Sequence, residues 1–412
     1  MALCRVNASG SLPKGPPGLP LLGNLLLFRS RAHPVDEILT NWAKEYGNIY
    51  TLKIGPKLVY ILNGYDLINE VFNNPDVDGR NAAKTFKAAL GEGKGPASSE
   101  GQAWSCQRHF TLKHFSSSTA KLEEAVATEV TTVLSALMSQ PQTPKDVHND
   151  VFKPAMYNIM CKVALAKYYT YKDEEFETLA DIWDTVNTNS GPATLYYSVK
   201  LPFGKSDEIF RKISSLKILL QKIVDERRQC LNDKSATPSC FVDSYLLLQQ
   251  NELGGKEGVS KHFTDDNLLW SIFELFFGGT NIPRTLMSSV VVYLINNPHV
   301  QEKIQQELDT ELGDKPPSWA DRQRLPYTQA AIAEIMRHAN VTFLAVPRVA
   351  RKPVTIGGYH IPAGSTLMSN LHSVMMDPTA FPNPEEFHPE RFLDTDGNFR
   401  KPRELVPFGM GE

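Results

Sequence analysis

Val406-Pro407-Phe408-Gly409-Met410-Gly411-Glu412 is the stretch that carries most weight for the architecture. A Phe-Gly-x-Gly sequence suits a backbone that bends sharply and comes close to a flat ligand, because glycine takes φ > 0 without a Cβ clash. Two further pieces lie upstream: Glu334-Ile335-Met336-Arg337 in a helical pattern, and Phe387-His388-Pro389-Glu390-Arg391-Phe392 after a turn-rich segment. The i,i+3 spacing of Glu334 and Arg337 allows a direct ion pair on one helix face. On an exposed helix such a pair is commonplace. Buried with Arg391 it would form a charge network holding the loops that follow, and losing one partner of such a network costs about 3–5 kcal/mol.

Around these pieces the 412-residue chain has ordinary globular usage, 42% hydrophobic and 22% charged, enough for a sizeable core. No low-complexity linker or internal repeat divides it, so one large domain over residues 1–412 is expected rather than the several that length alone suggests. A net charge of −3 argues against a nucleic-acid partner, which normally meets a basic face. Cys4, Cys106, Cys161, Cys230 and Cys240 are scattered without a CxxC pair and read as packing residues, not a disulfide frame or zinc site. Met1 to Ser11 lacks a signal-peptide pattern, and no stretch reaches the roughly 18 apolar residues of a membrane span, so no integral membrane segment is expected.

From the start, Leu12–Pro20 is proline-rich and stiff, a rigid lead-in. Pro34–Tyr46 reads as a helix, Ile49–Ile54 and Lys57–Leu62 as a hairpin around Gly55-Pro56, and Tyr65–Asn73 as a helix. Asp78–Gly101 shows little periodicity and reads as a loop region. Trp104-Ser105-Cys106-Gln107-Arg108 opens a helix whose i,i+4 spacing puts an indole and a guanidinium on one face, both donors to anionic oxygens. An amphipathic helix with a half-buried Trp is the competing reading. Helical spacing continues through Ala120–Met138, Val147–Tyr168, Glu175–Asn189 and Asp207–Leu231, with a break at Pro202-Phe203-Gly204.

Thr264-Asp265-Asp266-Asn267 caps a long helix reaching Asn296-Asn297-Pro298, about 48 Å at 1.5 Å per residue. Its middle, Phe276 to Thr285, holds Gly278, Gly279 and Pro283, a local conflict of several kcal/mol that leaves the Gly279 carbonyl without its helical donor. Either this is a functional site or the helix kinks or breaks there. Val300–Leu312 and Thr328–Ala339 are shorter helices, and Arg348 enters a β region. Val354–Ile356 and Tyr359–Gly364 read as a hairpin continued by Ser365–Asn370, while His338, His360 and His372 have no metal-ligand spacing and read as structural.

In this order the proline stretch, Trp-x-x-x-Arg, the Gly-Gly helix, Glu-x-x-Arg, Phe-x-Pro-Glu-Arg-Phe and Phe-Gly-x-Gly closely resemble a cytochrome P-450, a haem-thiolate monooxygenase, from Pro13 to Glu412. Gly358–Thr366 and Met376-Asp377-Pro378 are most similar to the animal microsomal drug- and steroid-metabolising branch. The resemblance implies a mainly α fold with small β-sheets (α+β). Its parts would be a hinge at 12–20, an N-terminal helix and hairpin at 21–62, a helical bundle at 102–340, and a β region, meander and start of the haem loop at 341–412.

It implies haem b, with Trp104, Arg108 and Arg348 on the propionates and Phe408, Gly409 and Gly411 in the ligand loop. Gly278, Gly279, Thr280 and Asn281 would form the oxygen-pocket region, and Glu334, Arg337 and Arg391 the structural support. It also implies a lipophilic substrate, NADPH–cytochrome P-450 reductase as electron donor, and the cytosolic face of the endoplasmic reticulum with peripheral membrane contact.

Two departures stand out. The family's loop continues to an axial Cys, and this chain stops three residues short of it, so no metal ligand is present and the chain as written is expected to be a truncated, inactive form. The family's acid–alcohol pair, which helps deliver protons to bound oxygen, is replaced by Asn281-Ile282, and neither Thr280 nor Thr285 is in register. The alternatives are an enzyme that rearranges hydroperoxides or endoperoxides, which bring their own activated oxygen, or a non-catalytic remnant.

Overall fold

A computed structural model describes residues 12–29, 34–55, 57–80, 94–139, 146–189, 206–231, 237–252 and 260–411. Met1–Ser11 with Cys4, the Pro202–Gly204 break and most of the loop expected over Asp78–Gly101 lie outside them. The chain is mostly helical with two small sheets, as expected. Its helices are α1 (Val35–Tyr46), α2 (Tyr65–Phe72), α3 (Gly101–Ser117), α4 (Thr119–Met138), α5 (Lys153–Leu165) and α6 (Glu174–Asn189). They continue as α7 (Ser206–Cys230), α8 (Phe241–Glu252), α9 (Asp265–Asn296), α10 (Pro298–Glu311), α11 (Pro326–Ala339) and α12 (His372–Met375). The backbone clusters into two compact units, Met1–Asn81 with Ala333–Glu412, and Ala82–Ile332.

The first unit is built on a sheet of order β1-β2-β6-β3, with β1 Ile49–Ile54, β2 Lys57–Leu62, β3 Arg348–Val349 and β6 Thr366–Ser369. The β1–β2 hairpin forms as expected, with Ile49 opposite Leu62. The second hairpin, β4 (Val354–Ile356) with β5 (Tyr359–Ile361), stands apart as its own two-stranded sheet. The continuation of this hairpin expected over Ser365–Asn370 does not form; β6 instead runs parallel to β2, Val59 opposite Thr366, and antiparallel to β3. Burial explains the choice, since Leu367, Met368 and Ser369 are all buried, the signature of an interior strand covered on both faces. Above the sheet, α1 buries Leu39, whose carbonyl accepts the Tyr50 hydroxyl at 2.8 Å.

The second unit is a helical bundle organised around α9. The Thr264–Asn267 capping box forms as the sequence requires. The helix then runs unbroken for 32 residues through Pro283, so the break left open by the sequence does not occur. Trp183 of α6 stacks on Phe276 of α9 with rings 5.3 Å apart and 8° from parallel, and Phe273 and Trp270 extend this aromatic core. The helix expected over Val147–Tyr168 is shorter and begins differently: Val147–Phe152 winds as a π-turn, α5 follows, and Ala166 ends it with φ 55°. Pro154, at the start of α5, has no N–H to donate, which suits the change of winding there. Among the described residues, no helix is long and apolar enough to cross a membrane.

Candidate functional site

In the first unit the three charged residues singled out in the sequence come together. Glu334 and Arg337 are fully buried, and Arg391 is 9% exposed. Arg337 donates from Nε and Nη2 to the two carboxylate oxygens of Glu334, at 2.6 and 2.9 Å. Arg391 Nε reaches Glu334 Oε1 at 3.0 Å, and the His388 N–H reaches the same oxygen at 2.9 Å. The remaining guanidinium donors fasten the meander. Arg337 holds the carbonyls of Met375 and Pro384, and Arg391 those of Pro382 and Glu386. One carboxylate thus organises two cations, and the cations organise the loop backbone.

That meander leads to the Phe408–Gly411 turn. Gly409 and Gly411 have φ of 86° and 81°, the left-handed region that glycine alone enters readily. A Cβ on Gly411 would lie 2.4 Å from the Phe72 carbonyl oxygen, so the turn also needs a hydrogen at that position to approach α2. Thr342 Oγ1 donates to the Pro407 carbonyl and pins the turn from its other side. Phe408 is left 72% exposed. Arg348 is 6% exposed, with its guanidinium 5.3 Å from the Phe72 ring, which places β3, the end of α2 and the glycine turn side by side. Arg348 is thus a buried arginine and not a surface one.

In the second unit, α3 carries Trp104 and Arg108. Its inner face is fixed by Gln107, which is fully buried, donates to the Tyr245 hydroxyl at 2.9 Å and accepts from Ser271 Oγ at 3.2 Å. That anchoring turns Trp104 and Arg108 to a partly open face, with the guanidinium 5.7 Å from the indole ring. Among the described residues Arg108 has no hydrogen-bond or ion-pair partner. A cation and an indole N–H so placed can bind a carboxylate.

The two glycines of α9 differ. Gly278 is exposed and a Cβ there would meet nothing within 4 Å. Gly279 faces α5, and its Cβ would lie 2.7 Å from Met160 Sδ. The first leaves open space beside the helix, and the second lets two helices close. Thr280 is buried and donates to the Phe276 carbonyl at 2.7 Å, while Thr285 donates to the Asn281 carbonyl at 2.9 Å.

Asn281 Oδ1 accepts from Arg284 Nη2 at 2.9 Å, and Arg284 Nη1 pairs with Asp184 of α6 at 2.9 Å. Burial would raise the Asp184 pKa, but the bonds from Arg284 and Lys153 outweigh it and hold the carboxyl below its ordinary value. Sequence reasoning missed this pair because its members are 100 positions apart. The buried thiols of Cys161 and Cys240 are both pushed up by burial and are not thiolates.

The cytochrome P-450 family model matches residues 13–412. The chain is 31% identical over 411 residues to cytochrome P-450 2J2 of Homo sapiens, a match covering 97% of this chain and 80% of that protein. It is 32% identical over 414 residues to cytochrome P-450 2F5 of Gorilla gorilla gorilla, covering 98% and 82%. It is 30% identical over 421 residues to cytochrome P-450 2C3 of Oryctolagus cuniculus, covering 99% and 84%. A buried Glu-Arg-Arg cluster, a double-glycine turn and a long bundle helix thus occur in a chain that matches these relatives along nearly its whole length, and the chain belongs to the cytochrome P-450 family.

Proposed function

We propose that this chain is a single-domain haem monooxygenase scaffold of the microsomal drug- and steroid-metabolising branch, acting on a lipophilic small molecule. Haem monooxygenase chemistry is that of its family. The observation that carries the reading is the Arg108 guanidinium beside Trp104, without a hydrogen-bond or ion-pair partner among the described residues, a donor pair suited to a ligand carboxylate. The described residues fit the haem periphery: these donors suit a propionate, and the exposed Phe408 next to two positive-φ glycines offers a flat apolar contact. Trp104 and Arg108 would hold haem carboxylates, and Arg348, Phe408, Gly409 and Gly411 are also proposed as haem-binding residues. When bound, haem supplies the iron at which dioxygen is reduced. The bare helix wall at Gly278 leaves room for a small ligand, and Gly279, Thr280 and Asn281 complete that region of α9. The proposed electron donor is NADPH–cytochrome P-450 reductase, at the cytosolic face of the endoplasmic reticulum with peripheral membrane contact. The test is incubation of a form extended through the family's axial Cys with reductase, NADPH and labelled dioxygen over a panel of lipophilic substrates. One labelled oxygen in the product is expected, and its absence across the panel would sink the reading.

A second reading has its own observation. Asn281 presents an amide whose oxygen is already bonded to Arg284, and Ile282 has no hydroxyl, so the two positions of the family's acid–alcohol pair offer neither group for proton delivery. An enzyme that rearranges hydroperoxides or endoperoxides needs no such pair. Turnover of a fatty-acid hydroperoxide without NADPH favours this reading, and NADPH-coupled hydroxylation counts against it.

A further inference from the structure

A cleft of about 190 Å³ opens in the second unit between α3, α4, α5 and the start of α8, lined by His114, Ser118, Lys121, Glu124, Lys162 and Ser239. It is smaller than the roughly 300–1,000 Å³ of drug-sized sites. Three observations point to an anion. First, α4 begins here with no side-chain cap on its N-terminal N–H groups and no acidic residue in its first turn. Second, Lys121 and Lys162 place two ammonium groups on the walls against the single carboxylate of Glu124.

The third observation is His114. It is 8% exposed, yet its Nε2 is buried without a hydrogen-bond partner among the described residues. Its other nitrogen, Nδ1, is bonded to Ser244 Oγ at 3.0 Å, and Phe110, Phe115 and Phe241 pack around the ring, leaving the cleft as the side from which Nε2 can be satisfied. An unpaired buried ring nitrogen disfavours the fold until a partner satisfies it. Burial, and then the nearby charge of Lys121, hold the His114 pKa below its ordinary value, so the ring is neutral at pH 7. An oxyanion at Nε2 would fix the neutral ring's hydrogen there, with Ser244 then donating to Nδ1.

We propose that this cleft binds a phosphate-sized oxyanion, as free phosphate or as a phosphate monoester, with Lys121, Lys162, Ser118 and His114 Nε2 as donors. Lys121 also holds the Pro238 carbonyl at 2.6 Å, so the anion would tie α4 to the segment entering α8. Glu124 is the acceptor available to a proton on a singly ionised phosphate.

The test titrates the whole chain with inorganic phosphate at constant ionic strength, chloride serving as the control. Melting temperature and the histidine nitrogen resonance lost in His114→Asn are followed. Saturable stabilisation is expected, with a shift of that resonance, and both weaken about tenfold or more in Lys121→Gln/Lys162→Gln. Lys162→Gln alone serves where the double variant is less stable, since Lys162 has no intramolecular bond among the described residues. O-phosphoserine and glycerol 3-phosphate run alongside: binding as tight as phosphate assigns the site to a monoester, and binding of phosphate alone assigns it to the free ion. No saturable effect, or an equal effect in both lysine variants, overturns the proposal.

Discussion

Replacing Glu334 with alanine would leave two guanidinium groups facing each other in the first unit with no counter-charge, because its carboxylate is fully buried and accepts from Arg337, Arg391 and the His388 N–H. Arg337 keeps its carbonyl partners, so the loss is that of the ion pair and not of every bond. Removing one partner of a buried pair costs about 3–5 kcal/mol. At an unfolding entropy of roughly 2.1 cal/mol/K per residue, melting of the whole chain carries about 0.9 kcal/mol/K, so the expected fall in melting temperature is about 3–6 °C. Glu334→Gln keeps the acceptor oxygen and drops the charge, and should fall between wild type and alanine. Urea unfolding with near-identical m-values gives the free energies directly. A Glu334→Ala loss under about 1 kcal/mol, the range of exposed pairs, would refute the claim that this carboxylate organises the meander.

The two α9 glycines should respond in opposite senses. Gly278→Ala meets no atom and should be neutral or stabilising by up to about 1 kcal/mol, whereas Gly279→Ala should cost about 1–3 kcal/mol by overpacking against Met160, relieved in the Met160→Ala background. Gly411→Ala should destabilise through both its φ of 81° and the Phe72 carbonyl, and hydrogen exchange should show faster opening of the 406–411 turn. Asp184 has a depressed folded-state pKa, so its stabilising contribution is complete above its unfolded pKa near 3.9 and is lost as pH falls through the lower folded value. Asp184→Asn should therefore flatten the acid limb of a stability–pH profile, and an unchanged limb would contradict the Arg284–Asp184 pairing.

Much of this arrangement is local and so was legible in residue order. The Thr264–Asn267 cap, the i,i+3 spacing of Glu334 and Arg337, and the i,i+4 spacing of Trp104 and Arg108 are all short-range patterns. What escaped depends on partners far apart in the chain. The parallel pairing of β6 with β2 joins Thr366 to Val59, and periodicity within either strand says nothing of it. Gly278 and Gly279 look alike in sequence, and only the position of Met160 on α5 separates an open wall from a packing contact. The Arg284–Asp184 pair and the partnerless His114 Nε2 likewise depend on how helices lie together.

The central claim is that the scaffold holds haem through the Trp104 and Arg108 N–H donors on α3. Haem titration of the purified chain, followed by quenching of tryptophan emission and by the Soret band, tests it most directly. One haem per chain is predicted, with affinity reduced about tenfold or more in Arg108→Leu, a loss the size of a charge-assisted hydrogen bond. Stoichiometric binding unchanged in Arg108→Leu, or no saturable binding at all, would contradict it.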